Sequence, residues 1–302
     1  MPVRRVMTQW QLRTRTLELG ARTLVMGVIN ITPDSFSDGG EAYAPDAAIE
    51  RALQHIEEGA DILDLGAEST RPGSHAGGDD PAVSADKEQA RLLPVLEGIL
   101  RVAPQAVLSV DSYKSATAKA ALAAGAQIVN DVSGFTWDPK MPRVCAEADA
   151  GVILMHTRGR PDEWAKQDLL PPDAVFTMVR DGLAESLSRA TLAGIAPHAV
   201  VLDPGYGFGK RFGENYALLA HQSDLLSLGR PLLAGLSRKS FLGHTLAPLH
   251  GGAPAPVDAR ETASIAAMVA AILNGASIVR VHSVRPAVEA ARIADALLAA
   301  AT

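Results

Sequence analysis

Three acceptor-bearing residues follow apolar segments at separate points of the chain. They are Asp111, Asn130 and Asp203, which supply two carboxylates and an amide. Groups of this kind suit a flat heterocycle that carries ring N–H and amino donors. Each residue alone is about as consistent with a structural cap as with a binding role, so the prediction of a heterocycle site depends on their meeting in space.

A second set of residues has the chemistry of an anion site. It comprises Asn30, Arg71, Arg280 and His282, which offer an amide, two guanidinium forks and an imidazole. This combination suits phosphate or pyrophosphate, with or without a metal ion. The two sets together indicate a ligand with a heterocyclic end and a phosphorylated end.

Two further features leave their chemistry open. Lys239 could form a Schiff base, or it could help to bind an anion with Ser237, Arg238 and Ser240 beside it. The glycine-rich segment 205–210 (GYGFGK) lacks both the dinucleotide-binding spacing and the P-loop ending. We interpret it as a tight turn that allows the backbone to approach a ligand closely.

The elements that must position these residues are short apolar strands. The predicted strands span residues 24–29, 61–65, 106–110, 127–129, 151–155, 199–202, 231–234 and 277–281. Helical segments alternate with them, which predicts a parallel sheet, and eight such units predict a closed (β/α)8 TIM barrel of the α/β class. A doubly wound open sheet is the alternative, but polar residues there should cluster at one switch point.

Polar residues instead follow the strands all along the chain. The strand-end set is Asn30, Asp64, Asp111, Asn130, His156, Asp203, Lys239, Arg280 and His282. In a barrel these side chains should converge at the mouth formed by the C-terminal ends of the strands. Residues 1–23 alternate loosely and are predicted to form an N-terminal hairpin that plugs the opposite end of a single barrel domain, residues 1–302.

Composition excludes several classes of protein. The net charge of -6 provides no basic face for nucleic acid, and no apolar run is long enough to span a membrane. Cys145 is the only cysteine, so neither an intrachain disulfide nor a thiolate zinc cluster can form. These features predict a cytoplasmic protein that binds small molecules.

Seven motifs in order resemble the dihydropteroate synthase family of pterin-binding proteins. They are residues 30–40 (NITPDSFSDGG), 64–73 (DLGAESTRPG), 110–112 (VDS), 129–131 (VND), 202–210 (LDPGYGFGK), 237–240 (SRKS) and 280–282 (RVH). The resemblance covers nearly the whole chain from about Trp10. It departs mildly at Ala67, His156, Tyr206 and Ser283, none of which removes a predicted catalytic group.

The resemblance implies condensation of 6-hydroxymethyl-7,8-dihydropterin pyrophosphate with p-aminobenzoate in folate biosynthesis, by a homodimeric sulfonamide target. The implied pterin-binding residues are Asp111, Asn130, Met155, Asp203 and Lys239. The implied pyrophosphate-binding residues are Asn30, Thr70, Arg71, Arg280 and His282, with Mg²⁺ at Asn30. The implied p-aminobenzoate pocket contains Phe36, Pro72, Phe208 and Ser237. The implied catalytic residues are Asn30, Asp34, Arg71, Lys239, Arg280 and His282.

Two other functions are compatible with parts of this pattern. A methyltetrahydrofolate-type methyltransferase would use the pterin acids but has no use for the pyrophosphate set of Arg71, Arg280 and His282. A non-catalytic pterin-binding protein would tolerate loss of Asn30 and Asp34, and both are present. The sequence therefore favours the condensing enzyme over both alternatives.

Overall fold

Eight parallel strands close into a barrel preceded by an antiparallel hairpin. The computed structural model describes residues 3, 5–31, 45–70, 73–78 and 83–301. The hairpin strands are β1 (Thr8–Gln11) and β2 (Thr16–Leu19). The barrel strands are β3 (Leu24–Asn30), β4 (Ile62–Gly66), β5 (Leu108–Asp111), β6 (Ile128–Asp131), β7 (Gly151–Met155), β8 (Val200–Asp203), β9 (Leu232–Ala234) and β10 (Ala276–Val281). The barrel closes where β10 pairs with β3, which confirms the predicted fold.

Helices follow the barrel strands and cover the outside. They are α1 (Pro45–Glu57), α2 (Ala85–Val102), α3 (Ser115–Ala124), α4 (Met141–Glu147), α5 (Pro172–Leu192), α6 (Gly213–Ala220), α7 (Ser240–Thr245), α8 (Glu261–Leu273) and α9 (Val284–Ala300). Helix α2 begins directly after Ser84, whose hydroxyl accepts a hydrogen bond from the Lys87 backbone N–H and so caps the helix. Helix α6 has no counterpart in the sequence prediction.

The strands are apolar because both of their faces are buried. All five residues of β4 and of β7 are buried, one face turned to the barrel interior and the other to the helices. Aliphatic side chains from the strand starts meet Trp10, Leu12 and Leu19 of the hairpin in one cluster. The indole N–H of Trp10 donates to the carbonyl of Ala199, 2.9 Å away, so the hairpin closes the base of the barrel as predicted.

The surface of the described structure has two features relevant to its interactions. Along the outer side of α9, the exposed apolar residues Ile293, Ala296, Leu297 and Ala300 form one stripe at helical spacing. Within the part of the chain that the structure describes, every helix is too short or too polar to cross a lipid bilayer.

Candidate active site

A guanidinium at the barrel mouth joins carboxylates from two different strands. Arg280 Nε donates to Asp64 Oδ2 at 2.6 Å, and its Nη2 donates to Asp111 Oδ2 at 2.6 Å. The amide of Asn130 donates to the same Asp64 oxygen at 3.0 Å. Since Asp64 is fully buried, its charge requires this pairing. The contact unites Arg280, expected at the pyrophosphate, with Asp111 and Asn130, expected at the pterin.

The pKa values of Asp111 and Arg280 are set by two opposing effects, their burial and their ion pairing. Burial raises the pKa of Asp111 to about 7, although the neighbouring Arg280 opposes the rise. Burial alone would lower the pKa of Arg280, but Asp64 and Asp111 raise it above its usual value. The guanidinium therefore stays charged, and Nη1 takes part in neither of these two ion pairs. This edge of the fork can point at a ligand anion.

Asp203 and Lys239 form a second polar group at the mouth. Asp203 Oδ1 accepts a hydrogen bond from the backbone N–H of Gly205 at 2.7 Å, and burial raises the pKa of its carboxyl. Burial lowers the pKa of Lys239 to about 8, with a further contribution from the charge of Arg280. The Lys239 ammonium lies 3.9 Å from the centre of the Phe208 ring, a cation–π contact.

The glycine-rich turn after β8 presents Phe208 beside Lys239. Gly205 and Gly207 have φ of 69° and 80°, in the region that favours glycine. A Cβ at Gly205 would lie 1.9 Å from the carbonyl oxygen of His156, and one at Gly207 would lie 3.1 Å from Lys239 Cδ. The prediction of a tight turn is confirmed, and the close approach that it permits is to these protein groups.

The remaining described residues of the predicted anion site lie on β3 and after β10. The Ser237 hydroxyl lies 3.0 Å from His282 Nδ1 and accepts from the His282 backbone N–H at 3.3 Å. Ser237, predicted for the p-aminobenzoate pocket, thus orients the imidazole. Asn30 is the last residue of β3 and is exposed, and His282 directly follows β10. Because β10 pairs directly with β3, these two residues lie at the ends of neighbouring strands.

One strand-end residue does not join the others. His156 follows β7, but its buried ring packs against α5, where a Cβ at Gly182 would lie 2.6 Å from its Cδ2. Burial lowers the pKa of His156 well below its usual value. The expectation that every strand-end residue converges on the mouth is therefore wrong for His156, because its side chain takes the outward direction of the strand alternation.

The loops that follow β3 and β4 carry four of the predicted residues. Asp34, Phe36, Arg71 and Pro72 lie outside the described residues, so their roles remain predictions. Thr70 is half-buried just before that gap. Met155 ends β7 and is buried in one cluster with Ala76 and Tyr113, with Phe208 packed against it.

Sequence reasoning missed two residues of this site. Asp64 was recognised as a strand-end acid but received no ligand role; its position as the third residue of the five-residue β4 marks it as an acid inside the wall. Lys210 ends the glycine-rich motif and is buried with its ammonium against backbone carbonyls. Its place in a glycine-rich motif was the only available signal, and the motif was interpreted as a tight turn with no role assigned to the lysine.

Comparison with known proteins identifies the class of this barrel. The family described as "Pterin binding enzyme" matches residues 26–282. These residues run from the third residue of one barrel-closing strand, β3, to the His282 that follows the other, β10. The chain belongs to the pterin binding enzyme family.

Several curated relatives within that family are similar to this chain over most of its length. The Bacillus subtilis dihydropteroate synthase is 40% identical over 92% of this chain and 89% of its own length. The Mycobacterium leprae dihydropteroate synthase is 43% identical over 91% of this chain and 93% of its own length. The chain spans about half the length of the plant relatives, since it covers 55% of the mitochondrial folate synthesis bifunctional protein of Pisum sativum at 39% identity over 93% of this chain.

Solved structures agree with these relatives. Yersinia pestis dihydropteroate synthase with a sulfonamide drug complex has a TM-score of 0.85 at 38% identity, covering 97% of this chain and 100% of that one. Xanthomonas albilineans dihydropteroate synthase with 4-aminobenzoic acid has a TM-score of 0.84 at 38% identity, covering 97% and 99%.

Proposed function

We propose that this protein is a dihydropteroate synthase. It joins 6-hydroxymethyl-7,8-dihydropterin pyrophosphate to p-aminobenzoate and yields 7,8-dihydropteroate and pyrophosphate. The observation that carries the proposal is the meeting of Asp64, Asp111 and Asn130 with Arg280 at the mouth of a closed barrel. Relatives that carry this name, at about 40% identity over nine-tenths of the chain, support it.

The pterin is held by acceptors that converge from different strands. Asp111, Asn130 and Asp203 accept hydrogen bonds from the ring N–H and amino groups, and Met155 lies against the ring. Gly205 already occupies Asp203 Oδ1, which leaves Oδ2 for the ligand. A carboxylate acceptor is stronger than a neutral one, so these residues select a donor-rich heterocycle.

The reaction breaks one C–O bond and forms one C–N bond. Pyrophosphate leaves the pterin methylene with the bonding electron pair, and the resulting cation is stabilised by the ring. Arg280 and His282 stabilise the charge that develops on the leaving oxygens. The arylamine nitrogen then attacks the methylene carbon and loses a proton. The proposed scheme also includes two further catalytic residues, Asp34 and Arg71. It places Phe36 and Pro72 in the p-aminobenzoate pocket.

A pyrophosphate-release assay distinguishes the proposed function from its rivals. We expect release from dihydropterin pyrophosphate to be stoichiometric with formation of dihydropteroate and to require p-aminobenzoate for multiple turnovers. A methyltetrahydrofolate-type methyltransferase would release no pyrophosphate. A non-catalytic pterin-binding protein would bind the pterin in calorimetry without either product, and that result would refute the proposal.

Magnesium fits the predicted anion site as a cation that binds with the substrate. In the ranges given above, no group of three His, Cys, Asp or Glu side chains is placed to hold a metal ion. Magnesium commonly keeps several waters and uses substrate phosphates with one or two protein oxygens. The exposed Asn30 amide at the end of β3 suits one such ligand. When bound, Mg²⁺ would neutralise part of the pyrophosphate charge.

Removing the metal should inactivate the enzyme reversibly. Chelation should lower turnover by on the order of a hundredfold, because charge on the leaving group is then poorly stabilised. Asn30→Ala should raise the Mg²⁺ concentration needed for half-maximal turnover, measured by titration with MgCl2. Asn274→Ala is the control, because Asn274 donates to the Leu219 carbonyl at 3.0 Å and lies outside the site. An equal shift in both variants would contradict the role of Asn30.

A homodimer is proposed from the outer face of α9. Ile293 and Leu297 are 67% and 51% exposed and lie one turn apart. With Ala296 and Ala300 they form the stripe described above, which is flat enough for a second helix to approach. A second copy of this chain presents the same surface, as a twofold interface requires.

A charge placed in this stripe should separate the subunits. We expect Leu297→Glu to convert the dimer to a monomer in sedimentation equilibrium, because the interface would bury two unpaired carboxylates. Leu192→Glu is the control on α5, where the leucine is 88% exposed, and should remain dimeric. A monomeric wild type at micromolar concentration would rule out the interface.

A cytoplasmic location is likewise a proposal. It is supported by the single cysteine, Cys145, which is buried as a free thiol. Burial raises the pKa of that thiol, so it is unreactive as a thiolate.

A further inference from the structure

Lys210 is a buried ammonium whose hydrogen bonds all go to backbone carbonyls. The side chain belongs to a residue that is 4% exposed. Its Nζ donates to Gly205 O at 2.7 Å, His156 O at 3.0 Å and Phe208 O at 3.2 Å. An ammonium has three N–H donors, so these carbonyls use all of them. Lys210 therefore has no donor left for a substrate.

The three carbonyls belong to two neighbouring parts of the barrel mouth. His156 directly follows β7, whereas Gly205 and Phe208 belong to the turn after β8. Three carbonyl oxygens that point at one place repel each other. Gly205 O and Phe208 O also accept from the backbone N–H groups of Phe208 and Arg158, at 3.1 and 3.3 Å, so the donor that Lys210 adds matters most for His156 O. The N–H groups of Lys210 at their centre offset the repulsion, and burial lowers the pKa of this side chain to about 7. Lys210 thus fixes the path of the turn and ties it to the end of β7.

This turn places groups that face the site. The backbone N–H of Gly205 orients Asp203, and the Phe208 ring contacts the Lys239 ammonium. On its outer side the ring meets Trp164 edge to face, with ring centres 5.3 Å apart. Holding the Phe208 carbonyl therefore determines where its ring stands between Trp164 and Lys239.

We propose that Lys210 is a positioning residue for the p-aminobenzoate subsite, because it holds the Phe208 carbonyl and so sets the position of the ring. The inference rests on the proposed function. The amide of Asn215 holds the same turn from the other side, since it donates to Lys210 O at 2.9 Å and accepts from Gly207 N at 2.7 Å. Lys210 acts through the turn and does not touch the reacting atoms.

The test is a comparison of Lys210→Met with a matched variant at the other end of the barrel. Methionine fills the volume but donates to no carbonyl. We expect the KM for p-aminobenzoate to rise by about tenfold, while kcat changes by less than about threefold, since a displacement of about 1 Å is costly in an active site. Lys210→Gln retains two donors and should show a smaller rise. Calorimetry should give a dissociation constant for a pterin without the pyrophosphate that stays within about threefold of wild type.

Arg5→Met is the matched control. Arg5 is also a nearly buried cation, with 6% of its side chain exposed, and it donates to Asp295 and Thr23 near the base. The Arg5→Met variant should have a lower melting temperature, with unchanged KM values for p-aminobenzoate and for the pterin substrate. If Lys210→Met does not fold, Asn215→Ala should raise the KM for p-aminobenzoate in the same direction.

The outcomes separate this inference from the proposed function. An inactive wild type in the same assay would refute the proposed function. A different result would overturn the role of Lys210 alone. In that case the wild type is active, but the KM for p-aminobenzoate is unchanged in the folded Lys210 variants. If those variants do not fold, an unchanged KM in Asn215→Ala has the same meaning. A KM that rises equally in Arg5→Met would also overturn it, because the effect would then follow stability.

Discussion

Arg280→Met should lower both stability and turnover more than other single changes at the barrel mouth. The variant leaves the carboxylates of Asp64 and Asp111 without their shared counter-charge, and Asp64 is fully buried. Removing one partner of a buried ion pair typically costs about 3–5 kcal/mol. We expect a loss of that size in the free energy of unfolding, measured by urea titration at pH 7. Turnover should fall by on the order of a hundredfold or more.

The loss of stability in Arg280→Met should depend on pH, and the direction of this dependence follows from the pKa of Asp111. Without Arg280 the pKa of Asp111 should rise further, since burial is the main cause of its rise and Arg280 opposes it. At acidic pH the Asp111 carboxyl is protonated and needs no counter-charge. The stability difference between wild type and variant should therefore be largest at neutral pH and should shrink as the pH falls towards 4.

Two further variants test the explanation. Adding Asp64→Asn to Arg280→Met should recover part of the stability, because one uncompensated charge is removed, but it should not restore turnover. Arg22→Met removes a cation paired with Asp61 at the surface, where 58% of the arginine side chain is exposed, and should cost about 1 kcal/mol or less. Equal losses in Arg280→Met and Arg22→Met would contradict the neutralising role of Arg280.

Asp203→Asn should weaken pterin binding at least about tenfold. The loss of a charge-assisted hydrogen bond costs on the order of 1.5–3 kcal/mol, and each 1.4 kcal/mol is about a factor of ten in affinity. Calorimetry with a pterin that lacks the pyrophosphate measures the effect directly. Since burial raises the pKa of Asp203, acidification should protonate this acceptor, so wild-type affinity should decrease as the pH falls. Asparagine at this position should reduce that dependence.

Asp131→Asn is the matched control for Asp203→Asn. Asp131 also ends a barrel strand and is fully buried, and burial raises the pKa of its carboxyl to about 6. Its oxygens accept from Ser133 and from the Phe135 backbone N–H, so it stabilises the turn after β6. The Asp131→Asn variant should have a lower melting temperature and an unchanged affinity for the pterin. The same pattern in Asp203→Asn would make Asp203 a structural strand-end residue.

The barrel was predictable because each strand is apolar on two faces. Strand β7 matches its prediction residue for residue, and β4 differs by one residue at each end. Helix α6 was not predicted because it has eight residues, begins after Phe212 at φ 24° without a side-chain cap, and turns Glu214 and Asn215 inward. Asn215 holds the glycine-rich turn, and Glu214 accepts from the backbone N–H groups of Leu170 and Arg211. These inward polar residues disrupt the amphipathic pattern.

The site was predictable as a set of residues but less so as a set of contacts. Its polar residues follow strands, and a closed barrel brings strand ends together. The pairing of Arg280 with Asp64 spans 216 positions, and no local pattern reports a contact at that separation. The direction of His156 depends on the strand alternation and on the space that Gly182 leaves, which a single sequence does not display.

The hairpin at the barrel base also gives the molecule an optical reporter. The sequence has three tryptophans, and Trp10 alone lies in the hairpin, fully buried beneath the barrel. Trp137 and Trp164 lie in segments after β6 and β7, beside Tyr113 and Phe208. In a Trp137→Phe, Trp164→Phe protein, the emission wavelength would report whether water reaches the base. Partial opening of that end could then be followed separately from events at the substrate side.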